Sequence, residues 1–157
     1  MLSALSLGAT LYMPATRPDL WQVVNGEKYP ELRSLVICLE DAVSEHEVEA
    51  AKVNLKHLLQ QLQDQPRQAQ HPKIFIRPRH IAMAEELAQW QELIAVDGMV
   101  LPKFCLNQLR QWQQILPDFI QVMPTLEDAE TFDMGAMREL RQALQQDFRQ
   151  VLVLRIG

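Results

Sequence analysis

Short apolar runs alternate with amphipathic stretches along the chain, and this alternation limits the fold more than any other feature. The runs have the length and composition of buried β-strands, and the stretches between them have helical periodicity. Such an order requires parallel strands joined by right-handed crossovers. The sequence therefore predicts an α/β fold with about six strands and five helices. The predicted strands are residues 8–14, 34–39, 73–77, 97–103, 118–125 and 150–156.

The predicted helices occupy the segments between these strands. The first is short and follows Pro18, and the last is open to a break at 133–135. A glutamine-rich segment with two prolines precedes the third strand and is predicted to be a loop. The longer predicted helices are residues 44–64, 81–94, 106–116 and 126–148.

Two architectures fit this order of elements, an open doubly wound sheet and an incomplete (β/α)8 TIM barrel. Charged side chains recur just past the predicted strand ends, and a barrel gathers such positions around one axis. The pattern therefore favours the barrel, formed by residues 1–157 as one partial domain. No glycine-rich dinucleotide or P-loop motif is present. The charged residues at the strand ends are Arg17, Glu40, Asp41, Arg77, Lys103 and Glu127.

Composition excludes some classes of partner. The chain has 15 basic and 20 acidic residues, a formal net charge of −5, and no basic tract, which argues against nucleic-acid binding. No apolar run approaches the roughly 20 residues needed to span a bilayer, and the N-terminus lacks the basic region of a signal peptide. Cys38 and Cys105 lack metal-ligand spacing, so reduced thiols and a cytoplasmic location are expected.

The carboxylates of Glu40 and Asp41 directly follow the most apolar strand, residues 34–39. Acidic side chains at the end of a buried parallel strand are typical of α/β active sites. The alternative is that Asp41 or Ser44 caps the next helix, with acidic residues favouring its positive end. These residues alone leave both interpretations open.

Five motifs in succession resemble one protein family: LYMPATRPDL, LVICLEDAV, IFIRP, DGMVLPK and MPTLEDA. Together they are similar to the citrate lyase β-subunit-like branch of the HpcH/HpaI aldolase superfamily. More narrowly, they resemble the C–C bond lyase-like TIM-barrel proteins that accompany tellurium-resistance-type gene clusters. The resemblance implies a Mg²⁺-dependent lyase or aldolase that acts on a small carboxylate-bearing substrate, with a CoA or carrier thioester as a candidate handle.

The resemblance also implies roles for individual residues. Arg77 matches an arginine that holds a substrate carboxylate or carbonyl oxygen, and Glu127 matches a Mg²⁺ ligand. Glu40 and Asp41 match an acidic pair beside the metal. Cleavage next to a carbonyl passes through an enolate, which a divalent ion stabilises, while an arginine fork grips a carboxylate. Arg77 therefore suits substrate orientation, and proton transfer is sought at Glu40, Asp41 or a metal-bound water.

Two further residues are implied as substrate contacts. Arg17 matches the arginine of the family's G-x-R-P loop, and Lys103 matches the lysine of V-L-P-K, which could equally be structural. The departures include Asp128–Thr131, where the family has T-A-x-G, and a missing glycine there argues against close cofactor approach. His80 is a distant proton-transfer candidate and is expected to lie on the surface.

The sequence stops at Gly157, before the aspartate that the resemblance implies as a second metal carboxylate and before strands seven and eight. Such a barrel would leave its first and last strands with unpaired edges. We therefore expect a homo-oligomer and weak activity unless another chain completes the site. The alternatives are a non-catalytic assembly or interaction module and, less favoured, an open-sheet regulatory domain of response-regulator type.

Overall fold

Six parallel strands form one sheet in the computed structural model, which describes residues 2–65, 67–68 and 70–157. Within these residues, five α-helices lie between consecutive strands. The strands are β1 (Thr10–Pro14), β2 (Ser34–Cys38), β3 (Lys73–Arg77), β4 (Gly98–Leu101), β5 (Gln121–Leu126) and β6 (Arg155–Ile156). The helices are α1 (Leu20–Val24), α2 (Val48–Asp64), α3 (Ile81–Ala88), α4 (Leu109–Ile115) and α5 (Met134–Asp147).

The strand order in the sheet is the order in the chain, from β1 to β6. A doubly wound sheet instead reverses its strand order at a switch point, and the response-regulator fold is one of this type. The sheet is curled, as shown by a hydrogen bond between its two edge strands. Arg155 on β6 donates this bond across the interior to the hydroxyl of Thr10 on β1, at 2.7 Å. The predicted incomplete TIM-barrel fold is confirmed, and the open-sheet alternatives are wrong.

Both faces of the sheet are buried, which explains why the strands are continuous apolar runs rather than alternating ones. Successive side chains of a strand point to opposite faces. One face packs against the helices, as Leu35 and Ile37 of β2 do. The other face is the barrel interior and forms a second, smaller cluster, which among the described residues contains none from α1 to α5. Its strand members are Val36, Phe75, Val100 and Met123.

Gly98 allows β4 to pack closely between its neighbours. A Cβ atom at this position would lie 2.2 Å from the carbonyl oxygen of Gln121 on β5 and 2.8 Å from the ring of Phe75 on β3. Neither distance is compatible with van der Waals contact, so only glycine fits here. The ring of Phe75 therefore takes the space that a side chain on β4 would fill.

Several element boundaries differ from the predicted ones. Strand β5 begins three residues later than expected, because a turn in which Ile120 donates to the carbonyl of Pro117 precedes it. The helix predicted for 81–94 divides into α3 and a 3-10 turn over Gln91–Ala95. Strand β6 is shorter than predicted, and Val151 contributes only an isolated bridge to β5.

The predicted break at 133–135 is confirmed. Asp133 is the N-cap of α5, and its side chain accepts a hydrogen bond from the amide of Ala136 at 2.7 Å. In the described part of the chain, no helix has both the length and the hydrophobicity needed to cross a bilayer. That residues 1–157 form one domain stays a prediction.

Candidate active site

Three charged side chains lie at the carboxyl ends of parallel strands in the same sheet. Arg77 is the last residue of β3, Glu127 directly follows β5, and Glu40 lies two residues beyond β2. Side chains an even number of positions apart on a strand point to the same face of the sheet. Each of these three residues lies two or four positions after a residue whose side chain is in the barrel interior, so all three side chains point into the barrel mouth. The interior residues used for this comparison are Val36, Phe75 and Met123.

Arg77 lies at the centre of this group. Its Nη2 atom donates a hydrogen bond to Oε1 of Glu127 at 2.9 Å and also contacts Oε2 of Glu40. Its Nη1 atom lies 3.4 Å from Oδ2 of Asp41. We call Arg77, Glu40, Asp41 and Glu127 the charged cluster. The structure thus brings together four of the six residues that the sequence singled out, and a fifth, Lys103, lies within ion-pair distance of Glu40.

Glu40 is the most buried carboxylate of the charged cluster, with 4% of the residue exposed. Arg77 forms an ion pair with Glu40, but the contact lacks the geometry of a hydrogen bond. Neither carboxylate oxygen of Glu40 has a hydrogen-bond partner among the described residues. Burial raises the pKa of Glu40, and Arg77 opposes this shift. The negative charges of Asp41 and Glu127 raise the pKa further. Among the described residues, Glu40 therefore lacks a hydrogen-bond donor.

Lys103 approaches the charged cluster from the loop after β4. Its Nζ atom lies 3.6 Å from Oε1 of Glu40, and its side chain is 67% exposed. The backbone of Lys103 has a φ of 46°, a left-handed conformation that non-glycine residues seldom adopt. The next residue, Phe104, donates its amide hydrogen to the carbonyl of Thr125 at 2.9 Å, which fixes the loop on β5. Lys103 can thus reach either Glu40 or a ligand in the mouth.

Arg17 is held away from the charged cluster by its own loop. It donates two hydrogen bonds of 2.7 Å to the carboxylate of Asp19. Lys28 also contacts this carboxylate. These bonds hold the pKa of Asp19 far below its usual range, with the bond from Arg17 as the largest cause. Among the described residues, the ion pair of Arg17 is with Asp19 and not with the cluster.

Arg79 fixes the backbone that carries Glu40. Its Nη1 atom lies 3.1, 3.2 and 3.0 Å from the carbonyl oxygens of Leu39, Glu40 and Val43. Its Nη2 atom lies 3.6 Å from the exposed carboxylate of Glu45. Sequence reasoning missed Arg79, because nothing in the local pattern shows that a guanidinium after β3 binds the loop after β2.

The structure also tests the predicted surface position of His80 and the predicted helix cap at Asp41 or Ser44. His80 is exposed and caps α3, where its Nδ1 atom accepts the amide hydrogen of Met83 at 3.1 Å. Its predicted surface position is confirmed. Ser44 precedes a 3-10 turn at Glu45–Glu47, without a side-chain hydrogen bond to that turn's backbone. The carboxylate of Asp41 points to Arg77 instead of serving as the cap of a helix.

The residues present fit a divalent hard cation in part. Mg²⁺ is commonly bound by one or two carboxylates together with waters and substrate oxygens. Glu40 and Glu127 supply two carboxylates that contact Nη2 of Arg77. The oxygens of Glu40 accept no hydrogen bond from the described residues and are ligands of the required type. Within the described ranges, no group of three or more histidine, cysteine, aspartate or glutamate residues is arranged around a metal position. Any such site would therefore rely on ligands from water or substrate.

Comparison with known proteins agrees with this fold. The family model for the C–C bond lyases of the TIM-barrel fold matches residues 1–157, and the chain therefore belongs to this family. The predicted resemblance is confirmed at this level. No curated protein matched the chain.

Solved structures with the same fold include malate synthase from Haloferax volcanii in a lead(II) complex. It has a TM-score of 0.71 and 14% identity, and the match covers 94% of this chain and 49% of that one. A citrate lyase β subunit from M. tuberculosis, complexed with oxaloacetate and magnesium, has a TM-score of 0.60 and 20% identity over 94% of this chain and 56% of that one. The CitE protein of M. tuberculosis with magnesium, acetoacetate and coenzyme A has a TM-score of 0.51 and 21% identity over 76% and 39%. The chain thus spans about half the length of these structures.

Proposed function

We propose that the chain carries the substrate-binding part of a Mg²⁺-dependent carbon–carbon bond lyase or aldolase that acts on a carboxylate-bearing substrate through an enolate. The observation that carries this proposal is the charged cluster, in which Arg77 lies between Glu40 and Glu127 at the mouth of the barrel. Membership of the C–C bond lyase family supports the reaction class. Magnesium with oxaloacetate in the M. tuberculosis citrate lyase β subunit supports the metal and the kind of substrate.

In this proposal Arg77 binds and orients the substrate. Its guanidinium is planar and permanently charged and can bind a carboxylate through two parallel hydrogen bonds. Only 11% of its side chain is exposed, so the interaction takes place largely shielded from water. The substrate carboxylate would take the place of one of the carboxylates that Arg77 now contacts.

Glu127 and Glu40, whose carboxylates both contact Nη2 of Arg77, would hold the metal. When bound, Mg²⁺ supplies positive charge that stabilises the oxyanion of an enolate. The raised pKa of Glu40 suits a group that exchanges a proton with the substrate carbon, and the exposed Asp41 can pass that proton to solvent. Glu40 is thus a candidate either for metal binding or, when Glu127 holds the metal, for proton transfer, since a bound cation would keep its carboxylate ionised.

Lys103 and Arg17 would contribute at the rim of the mouth. The ammonium group of Lys103 is exposed and close to Glu40, so it can contact a carboxylate or phosphate of the ligand. Arg17 would have to leave Asp19 to reach a thioester handle. Coenzyme A in the CitE structure supports such a handle.

Association of two copies is the second candidate function, either to complete the site or as an assembly module without catalysis. In the described part of the chain, β1 pairs only with β2 and β6 pairs with β5, which leaves two open edges. Unpaired parallel edges favour pairing with another chain. Light scattering after size-exclusion chromatography tests this proposal. A mass of 36.2 kDa, twice the 18.1 kDa of one chain, supports it, and a monomer at high concentration contradicts it.

Exchange of the methyl protons of pyruvate in deuterium oxide tests the enolate chemistry directly. A base that removes a methyl proton forms the enolate, and return of a deuteron from solvent labels the product without breaking a carbon–carbon bond. We expect NMR to show exchange that requires Mg²⁺, stops with a chelator and is lost in Arg77→Lys. The exposed Arg110→Lys on α4 is the matched control. Equal exchange in Arg77→Lys and the wild type would contradict the proposed role of Arg77.

A further inference from the structure

Thr125 places a hydroxyl group inside the barrel, where no described residue forms a hydrogen bond with it. The residue is 5% exposed, and its Oγ1 atom has no hydrogen-bond partner among the described residues. It lies on β5, two residues after the interior residue Met123 and two before Glu127. The spacing of a strand puts Thr125 roughly 7 Å below Glu127 on the same face. The hydroxyl is therefore in the layer directly beneath the charged cluster.

A second buried donor in the same region also lacks a partner. The Nε atom of Arg77 forms no hydrogen bond with the described residues, although both of its Nη atoms contact carboxylates. Buried polar groups are normally hydrogen-bonded, and each exception needs an explanation. Both Arg77 Nε and the Thr125 hydroxyl can donate, so the group that would satisfy them presents an acceptor oxygen.

A comparison with Thr10 shows that the interior can satisfy a threonine hydroxyl. Thr10 lies at the opposite end of the barrel on β1, and its Oγ1 atom accepts hydrogen bonds from Ser34 at 2.8 Å and Arg155 at 2.7 Å. Valine has the shape of threonine without the polar atom. A hydroxyl retained at Thr125 without a protein partner thus costs folding stability and suggests a use in binding.

We propose that Thr125 is a substrate-binding residue whose hydroxyl donates a hydrogen bond to a carboxylate or carbonyl oxygen of the ligand held by Arg77. The contact would select ligands that carry an acceptor oxygen deep in the mouth, beneath the metal carboxylates. This inference rests on the proposed function, because it assumes that a carboxylate-bearing molecule occupies the charged cluster.

The test compares Thr125→Val with Thr125→Ser and with Thr10→Val, the same substitution at a satisfied hydroxyl. Each variant is measured for the midpoint of thermal unfolding without ligand and for the dissociation constant of oxaloacetate in excess Mg²⁺. We expect Thr125→Val to unfold at the same or a higher temperature than the wild type and to bind oxaloacetate roughly tenfold more weakly. Thr125→Ser should bind like the wild type.

Thr10→Val should show the reverse pattern, with a lower unfolding temperature and unchanged affinity, because it removes two existing hydrogen bonds far from the cluster. Unchanged oxaloacetate affinity in Thr125→Val overturns the inference and leaves the proposed function intact. A lower unfolding temperature in Thr125→Val also overturns it, because the hydroxyl would then be structural. Absence of oxaloacetate binding by the wild type overturns the proposed function and this inference together.

Discussion

Replacing Arg79 tests whether this one side chain fixes the loop after β2 that carries Glu40 and Asp41. Arg79→Ala removes the guanidinium that binds the carbonyl oxygens of Leu39, Glu40 and Val43. The same Nη1 atom serves all three contacts and has only two hydrogens, so we count two hydrogen bonds. A hydrogen bond from a charged group contributes about 1.5 kcal/mol at the lower end of its range, which applies here because the side chain of Arg79 is 24% exposed. Loss of two such bonds should lower the free energy of unfolding by about 3 kcal/mol.

Urea unfolding followed by circular dichroism measures this change, and titration with Mg²⁺ measures its effect on the charged cluster. Arg79→Lys should recover part of the stability, because an ammonium group can bind one or two of the carbonyls. Arg110→Ala on α4 replaces an exposed arginine and is expected to change the free energy of unfolding by less than about 0.5 kcal/mol. A change as small as this in Arg79→Ala would refute the role assigned to its hydrogen bonds.

Three other predictions concern packing, pH dependence and helix capping. Gly98→Ala should lower the free energy of unfolding by about 3 kcal/mol or prevent folding, because its Cβ would meet the carbonyl of Gln121 at 2.2 Å; urea unfolding tests this, and wild-type stability would contradict it. Burial raises the pKa of Glu40, so the folded chain binds this proton more tightly than the unfolded chain does, and stability is lost as pH rises. Without metal, Glu40→Gln should therefore gain stability relative to the wild type as the pH rises above about 4, and a constant difference would contradict this. Asp133→Ala removes the cap bond to Ala136 and should cost about 1 kcal/mol, while no loss of α5 stability would show that the bond is unimportant.

The fold was predictable because its strands are buried on both faces. The central residues of β2 and β3 are apolar without interruption, and this pattern distinguishes a parallel strand buried on both faces from a half-exposed one. The charged residues at the strand ends then favoured the barrel over an open sheet. The positions of Glu40, Arg77 and Glu127 near one another followed from the same reasoning, because parallel strands end at the same edge. Boundaries were less certain, since the turn at Pro117 delays β5 although the local sequence suits a strand.

Contacts between segments distant in the chain were not predictable. Asn54 on α2 donates hydrogen bonds to the carbonyl oxygens of Ala15 and Arg17, and no local sequence pattern predicts these two bonds. The pairing of Arg17 with Asp19 is local, but the sequence does not show whether it or the barrel mouth attracts the guanidinium more strongly. The left-handed backbone of Lys103 likewise depends on the path that the loop takes to β5.

Calorimetric titration of Mg²⁺ into the purified chain tests the central claim, a metal site at the charged cluster, most directly. The titration is run on the wild type, on Glu127→Gln and on Glu130→Gln, an exposed glutamate three residues further along as the matched control. We predict that Mg²⁺ binds the wild type and Glu130→Gln alike and that binding is lost in Glu127→Gln. Equal binding by all three proteins, or no binding by the wild type with oxaloacetate present, would contradict the account.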